Sequence, residues 1–241
     1  MEPKRVIAAY FSGTGTTKKT VLRIARELAA HFAVPVKDAS FTLPRERQEA
    51  LPCTSEDLVV VGVPTYAGRV PNLLLPYLRE KLIGGGALAV PVVLFGNRNY
   101  DDALIELRNI LAADGLHPVA AAAFVGEHSF SRVLGQGRPN ETDEALMDEF
   151  AAKTADLVRR LPAAPEKPVA VRGQELLRPY YTPRDRAGNP INILKVKPKT
   201  DMTRCGGCGL CAEICPMGSI DPTDVSAVRG ICIKCCACVK G

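Results

Sequence analysis

Eight of the nine cysteines lie between residues 205 and 238, and their spacing points to metal chemistry. The first run is Cys205-x2-Cys208-x2-Cys211-x3-Cys215, followed at once by Pro216. Three evenly spaced thiols followed by Cys-Pro are typical of a bacterial [4Fe–4S] cluster run. Zinc sites use two Cys-x2-Cys pairs separated by a longer insert, so the spacing favours an iron–sulfur cluster over zinc. Cys53 stands alone, and we expect a small buried, inert thiol there.

A second run, Cys232-x2-Cys235-x2-Cys238, resembles the second half of a clostridial-type two-cluster ferredoxin. In that family the fourth cysteine of each run ligates the other cluster. The resemblance implies one cluster held by Cys232, Cys235, Cys238 and Cys215. It leaves the other cluster with Cys205, Cys208 and Cys211.

The fourth ligand of the first cluster would be residue 242, whereas the printed sequence stops at Gly241. We therefore expect the printed chain to be a truncated form of a longer protein, or else the first cluster to be labile, three-iron or ligated in another way. Cys236 lies in a gap between ligands, and its side chain is expected to point away from the cluster.

The loop Ser12-Gly13-Thr14-Gly15-Thr16-Thr17 follows an apolar run and opens an amphipathic helix. Glycines let consecutive N–H groups converge, the helix N-terminus attracts an anion, and the hydroxyls add donors, so the loop suits a phosphate monoester. A dinucleotide fingerprint would need Gly where Lys18 stands, and no P-loop pattern is present. The pattern [ST]-x-T-G-x-T resembles the FMN-phosphate loop of flavodoxins.

That resemblance implies two further flavin loops, at 64–71 and 96–102. The residues it assigns to FMN there are Pro64, Thr65, Tyr66, Ala67 and Gly68 in the first loop, and Gly96, Asn97, Arg98 and Tyr100 in the second. Tyr66 and Tyr100 are expected to stack on the flavin ring, the alternative being that each is a half-buried loop tyrosine. Arg69 and Arg98 either stabilise a reduced anionic flavin or are simply solvated. His128 is more simply a structural residue than a ligand contact.

Apolar runs alternating with amphipathic helices predict an α/β domain over residues 1–160, with a parallel sheet covered on both faces. Strands are predicted at 5–11, 34–40, 57–65, 88–96 and 118–128, and helices at 16–32, 71–82, 101–115 and 142–161. Five strands in this length suit the flavodoxin-like order 2-1-3-4-5, with ligands beyond the carboxyl ends of the strands. Residues 161–200 contain seven prolines and predict a linker laid on the domain surface. Residues 201–241 predict a small bacterial ferredoxin-like α+β module organised by its metal.

The charge distribution argues against a nucleic-acid role. The net charge of +5 is carried entirely by residues 161–200, which hold eight basic and three acidic side chains. That stretch lacks interleaved aromatic residues in a binding motif and borders a site that is anionic once metal is bound, so we expect no nucleic-acid partner. No signal-peptide core and no membrane span are predicted, and a cytoplasmic protein is expected.

The whole pattern resembles flavodoxin–ferredoxin fusion proteins of anaerobic bacteria. The resemblance implies electron transfer between two [4Fe–4S] clusters and FMN, with redox proteins as partners. A second hypothesis is an FMN-dependent reductase of a small organic or quinone substrate fed by the clusters, for which a homodimer is expected. A third is a sensor or scaffold with structural clusters. No nicotinamide fingerprint is present, so NAD(P)H is not expected as the direct donor.

Overall fold

The computed structural model describes residues 1–193 and 196–241, so the part of the predicted linker at positions 194 and 195 lies outside the described residues. Within the described ranges the strands are β1 (Arg5–Tyr10), β2 (Val36–Ser40), β3 (Leu51–Pro52), β4 (Asp57–Pro64), β5 (Leu82–Ile83), β6 (Leu88–Phe95), β7 (His117–Pro118) and β8 (Ala122–Val125). The helices are α1 (Thr16–Phe32), α2 (Leu75–Glu80), α3 (Ala103–Ala113), α4 (Glu141–Arg160), α5 (Leu210–Glu213) and α6 (Ala237–Lys240).

The main sheet is parallel and runs in the order β2-β1-β4-β6, with β7 and β8 both paired to β6. Counting β7 and β8 as one interrupted strand, this is the predicted flavodoxin-like order 2-1-3-4-5. The register pairs Val6 with both Val36 and Leu58, so the apolar runs lie side by side at the centre. The predicted fold class is confirmed.

Each face of the sheet is covered by a different pair of helices, as a doubly wound sheet requires. One apolar cluster joins alternate β1 and β4 side chains to α1 and α4, with Ile24 and Met147 almost completely buried. The other joins the opposite faces of the same strands to α2 and α3, with Leu78 and Leu107 fully buried. Both faces of the sheet are therefore covered by apolar side chains. This packing gives the loops at the carboxyl edge of the sheet a rigid base.

Three details differ from the sequence prediction. The fifth strand, predicted at 118–128, is split into β7 and β8, because the chain leaves the sheet between Pro118 and Ala122. The helix predicted at 71–82 is a 3-10 turn, Asn72–Leu74, followed by the short α2. A second sheet, in which β3 pairs with β5 in parallel, was not predicted. Two-residue strands carry no periodicity that a sequence could reveal.

The proline-rich segment is laid on the first domain, where buried carboxylates fix it. Asp102 is fully buried and accepts two backbone N–H groups of this segment together with the Arg178 guanidinium. These donors hold the pKa of Asp102 well below its usual range. The Tyr181 N–H donates to Ala67 O at 2.8 Å. The path therefore runs beside one of the predicted flavin loops.

The cysteine-rich module contains little regular structure. Its described elements are the single-turn helices α5 and α6 and one antiparallel bridge between Ile220 and Val228. Cys211 lies in α5 and Cys238 in α6. No helix in the described ranges has the length and apolar sequence that crossing a membrane would require.

Candidate functional site

The loop between β1 and α1 presents a row of free backbone donors. In the described part of the chain, the N–H groups of residues 13–17 donate to no protein acceptor, whereas those of Ser12 and Lys18 are paired with Thr42 Oγ1 and Ser12 Oγ. Gly15 precedes the helix with φ of 84°, a conformation that glycine adopts without strain. Five unpaired donors at the start of a 17-residue helix form an anion cradle without any basic side chain.

The cradle opens into a cavity of about 230 Å³ at the carboxyl edge of the sheet. Residues from all three predicted flavin loops line this cavity, namely Gly13, Thr14, Thr16, Thr17, Pro64, Thr65, Tyr66, Ala67 and Gly96. The structure thus brings together most of the residues assigned to FMN from the sequence. The cavity lies where β1 and β4 end, which is the switch point of this sheet.

One lining residue carries an orphaned polar atom. Thr65 Oγ1 is buried and has no hydrogen-bond partner among the described residues, while the Thr65 N–H is paired with Leu94 O at 2.7 Å. A buried hydroxyl without a partner is costly unless a ligand or water satisfies it. Together with the free donors of the phosphate cradle, this hydroxyl fits a ligand with a polar edge, as FMN has.

Six of the predicted FMN residues, Tyr100 among them, do not line this cavity. Ser12 lines a larger neighbouring groove, and its hydroxyl accepts the Lys18 N–H. Gly15 caps α1. Gly68 and Arg98 line a separate groove beside the proline-rich segment. Asn97 has φ of 58° and lies next to Arg98 in the same turn.

Tyr100 and Arg98 are engaged by other parts of the chain. The Tyr100 ring packs on Phe95 with centroids 5.4 Å apart, and the Arg172 guanidinium lies 6.0 Å from its centroid. Arg98 lies over the Tyr181 ring at 4.6 Å. The loop at 96–102 is thus turned toward the proline-rich segment, and of the two tyrosines only Tyr66 lines the cavity.

The sequence reasoning gave a low functional weight to the segment after β8 and no flavin role to the cysteine module, yet both line the cavity. The residues concerned are Glu127, His128, Ser129 and Phe130 after β8, and Ile233 and Lys234 in the module; Ile193 of the proline-rich segment lines the cavity too. His128 packs against Gly96 so closely that a Cβ on Gly96 would lie 2.5 Å from the imidazole. The position of "GEHSF" at the end of the fifth strand was a usable signal for His128, whereas nothing in the sequence marked Ile233 and Lys234.

The second cysteine run forms one wall of this cavity. A Cβ on Gly13 would lie 2.9 Å from Cys235 Cβ, 3.4 Å from Cys235 Sγ and 3.7 Å from Tyr66 Oη. Burial raises the pKa of Tyr66 well above its usual value, and the nearby Cys235 and Cys236 thiols add to this rise. The phosphate cradle, the aromatic residue and a predicted cluster ligand therefore meet at a single contact.

The cysteines of the second run lie around a small apolar cavity of about 30 Å³ together with Cys215. Cys236 belongs to this lining too, although its thiol was expected to point away. Burial raises the pKa of Cys235 to about 12, and the thiols of Cys215, Cys238 and Cys232 contribute to the rise. Cys215 thus lies within electrostatic range of the second run, as the crossed ligand pattern requires.

The first run is more open. Cys208 is exposed, while Cys205 and Cys211 are partly exposed. Cys211 contributes to the raised pKa of Cys238, so the two runs approach each other at that point. Among the residues that the structure describes, no three His, Cys, Asp or Glu side chains converge closely enough to hold a single metal ion.

The comparisons with known proteins give a family match for part of the cysteine-rich module and structural similarity for the first domain. Residues 198–221 match the Fer4 family, described as the 4Fe-4S binding domain. No curated protein matches the chain. A flavodoxin from the domain Archaea is similar at 18% identity and a TM-score of 0.46, over 65% of this chain and 99% of that one.

Two other solved structures show similar values. A Streptococcus pneumonia TIGR4 flavodoxin has 16% identity and a TM-score of 0.44, over 63% of this chain and 98% of its own. An apo NADH:FMN oxidoreductase has 17% identity and a TM-score of 0.47, over 67% and 93%. The assignment of the fold itself rests on the strand order and helix placement described above.

The fold and the family match define the class of this protein, in which a flavodoxin-like domain is joined to a 4Fe-4S binding domain. This combination agrees with the resemblance of the sequence to flavodoxin–ferredoxin fusion proteins.

Proposed function

We propose that this protein is an electron-transfer iron–sulfur flavoprotein that passes electrons between [4Fe–4S] clusters and FMN. The observation that carries the proposal is the contact of Cys235 with Gly13, beside the Tyr66 hydroxyl, since it gives the two cofactor sites a shared wall. Electron exchange needs such proximity, whereas two independent binding modules would have no reason to meet there. The proposal divides the chain into residues 1–160 for FMN, 161–200 as linker and 201–241 for the clusters.

The first domain holds the flavin by its backbone rather than by charge. The free N–H groups of residues 13–17 would bind the phosphate, with the Thr14 and Thr16 hydroxyls, 3.5 Å apart, as further donors. Thr65 Oγ1 would bond to the polar edge of the ring, and Tyr66 would contribute an aromatic wall. FMN, when bound, can accept one or two electrons and so joins single-electron carriers to two-electron chemistry.

The module would hold the clusters through seven of its eight cysteines in the crossed pattern. Cys232, Cys235, Cys238 and Cys215 would ligate one cluster, and their shared cavity supports this set. Cys205, Cys208 and Cys211 would ligate the other. The apolar lining around Cys235 and its partners, which includes Met217 and Ile220, would place that cluster in an apolar environment and so help to set its potential.

Direct reduction of a small substrate by the flavin is the weaker alternative. Ile233 and Lys234 of the module already line the cavity that would hold the ring, so a substrate would compete with them for this space. Saturable, substrate-dependent oxidation of the reduced flavin would favour the reductase, whereas oxidation by redox proteins alone favours electron transfer. Clusters that fail to cycle between redox states would support a purely structural role.

The flavin assignment is tested by Thr14→Leu, with Thr142→Leu as the matched control. Both threonines are exposed near the start of a long helix, but only Thr14 lines the cavity. We expect Thr14→Leu to lose FMN and keep its iron, and Thr142→Leu to keep both. Loss of iron with retained flavin in Thr14→Leu would refute the loop assignment.

The crossed ligand set is tested by Cys215→Ser. We expect this variant to lose chiefly the cluster held by the second run, measured as iron content and electron paramagnetic resonance of the reduced protein. Loss of the first-run cluster instead would show that Cys215 serves its own run.

A further inference from the structure

The module contacts the first domain through its second cysteine run and not through its first. Cys235 is buried against Gly13, and Ile233 packs against the apolar cluster on the α2–α3 face of the sheet. In the first run Cys208 is exposed, and a Cβ on either Gly206 or Gly207 would meet nothing within 4 Å. The two predicted clusters are therefore placed differently, one against the flavin cavity and one toward solvent.

Lys240, at the C-terminal end of the second run, forms hydrogen bonds with the wall of the flavin cavity. Its ammonium group donates to Glu127 Oε1 at 2.5 Å, to His128 O at 3.0 Å and to Ser131 O at 3.3 Å. The Lys240 side chain is only 16% exposed, so all three hydrogen bonds are partly shielded from solvent. The Lys240 hydrogen bond lowers the pKa of Glu127, as expected for an ion pair.

Arg47 holds the module to the first domain at Pro216, next to Cys215. Its guanidinium donates to Pro216 O at 2.7 Å, directly after Cys215, and to Phe41 O and Thr42 O in the first domain. Burial lowers the pKa of Arg47. The ligand set of the second run is thus held on the first domain from both sides, at Cys215 and at the helix that contains Cys238.

We propose that the cluster completed by Cys215 exchanges electrons with the flavin across the Cys235–Gly13 contact, with Lys240 as the positioning residue that keeps this contact closed. The first-run cluster is then the outer site, where external one-electron carriers deliver or remove electrons. This inference rests on the proposed function and adds an order to it, which runs from carrier to outer cluster, inner cluster and flavin, or the reverse.

The electrons balance along the proposed path from carrier to flavin. With both clusters bound, a reduced one-electron carrier would give one electron to the outer cluster and this cluster would give it to the inner one, each donor being reoxidised as its acceptor is reduced. Two such transfers, together with protons from water, complete the two-electron reduction of the flavin. No bond to a substrate is formed or broken in this exchange.

The positioning role is tested on the full chain with Lys240→Ala, Lys240→Arg and the control Lys153→Ala, which removes an exposed lysine ion-paired with Glu149. Reduced two-cluster ferredoxin, freed of dithionite, serves as the donor, since a protein cannot enter a 230 Å³ cavity. Flavin and cluster absorbance are followed by anaerobic stopped flow. Carbodiimide cross-linking of Lys240 to Glu127, read by mass spectrometry, reports docking independently of electron transfer.

We expect the wild type to form the Lys240–Glu127 cross-link. We expect Lys240→Ala to keep its iron and flavin and to reduce its flavin about tenfold more slowly, the effect of losing charge-assisted hydrogen bonds. Lys240→Arg should recover most of the rate, and Lys153→Ala should match the wild type. A wild-type rate of flavin reduction in Lys240→Ala would overturn the inference. A wild type without flavin or without iron would instead overturn the proposed function.

The order of the clusters is tested by comparing Cys232→Ser with Cys205→Ser. We expect Cys232→Ser to stop flavin reduction while its remaining cluster is still reduced by the carrier, and Cys205→Ser to slow delivery from the carrier. Flavin reduction that survives in Cys232→Ser and is lost in Cys205→Ser would reverse the order and refute the inference.

Discussion

Gly13 is the point where the phosphate cradle touches the cysteine module, so a single methyl group there perturbs that contact. The backbone of Gly13 is outside the left-handed region, and alanine can adopt its conformation without strain. The new Cβ would lie 2.9 Å from Cys235 Cβ and 3.4 Å from Cys235 Sγ. Carbon atoms prefer about 3.5–4.0 Å, so the module must move outward by about 0.6–1 Å in Gly13→Ala.

The cost of this movement can be estimated. Overpacking a close contact costs about 1–3 kcal/mol, and a chain of this size loses about 2–4 °C of melting temperature per kcal/mol. We therefore expect Gly13→Ala to melt about 2–12 °C lower than the wild type. We also expect slower reduction of its flavin at saturating FMN, because the Cys235 contact has opened.

The matched control is Gly206→Ala, the same substitution in the first cysteine run, where the new Cβ would meet nothing within 4 Å. Its melting temperature should stay within about 2 °C of the wild type, as surface substitutions usually cost less than 0.5 kcal/mol. Calorimetry and stopped-flow reduction of both variants provide the comparison. If Gly13→Ala behaved like Gly206→Ala in both assays, the described contact between the cradle and the module would be refuted.

Three further predictions concern single groups that are buried or partly buried. Thr65→Val removes an unpartnered hydroxyl, so calorimetry should show that the flavin-free protein is equally stable or up to about 1 kcal/mol more stable than the wild type. Titration should show that the variant binds FMN about tenfold more weakly. Equal FMN affinity would contradict the role given to Thr65. Burial raises the pKa of Asp114 to about 6, above the value near 3.9 in an unfolded chain, so the native state loses stability as pH rises from about 4 to 6. Urea unfolding should therefore show that Asp114→Asn is about 1 kcal/mol more stable than the wild type at pH 7, a value that allows for the partial exposure of the carboxyl. At pH 4 the variant should show no gain in stability. A gain at both pH values would refute the electrostatic cause. Burial raises the pKa of Cys53 to about 11, so iodoacetamide at pH 8 should leave this thiol unmodified until the chain unfolds. Labelling of Cys53 in the native protein, detected by peptide mass spectrometry, would contradict this prediction.

The strand order and the helix at 16–32 were predictable because their patterns are long and unbroken. The three central strands β1, β4 and β6 are continuous apolar runs, and α1 presents Ile24 and Leu28 on one face. The glycine and threonine loop was predictable for the same local reason, since the free N–H groups follow from its turn residues and from the helix start. Both signals need no knowledge of distant parts of the chain.

The positions that sequence reasoning missed depend on contacts between distant segments. Ile233 enters the flavin cavity only because Lys240 and Arg47 dock the module there, and no period in a 41-residue cysteine-rich segment encodes that docking. Tyr100 and Arg98 are likewise held away from the cavity by Arg172 and Tyr181 of the proline-rich segment. Composition showed that this segment is extended, but not which side chains it would engage.

The central claim is that this chain carries both a flavin and iron–sulfur clusters. The most direct test is the quantitation of flavin, iron and acid-labile sulfide in protein purified without oxygen. The account predicts about one FMN per chain and about eight iron atoms with matching sulfide, as two cubane clusters require. Zinc in place of iron, or a protein that binds no flavin at micromolar FMN, would contradict it.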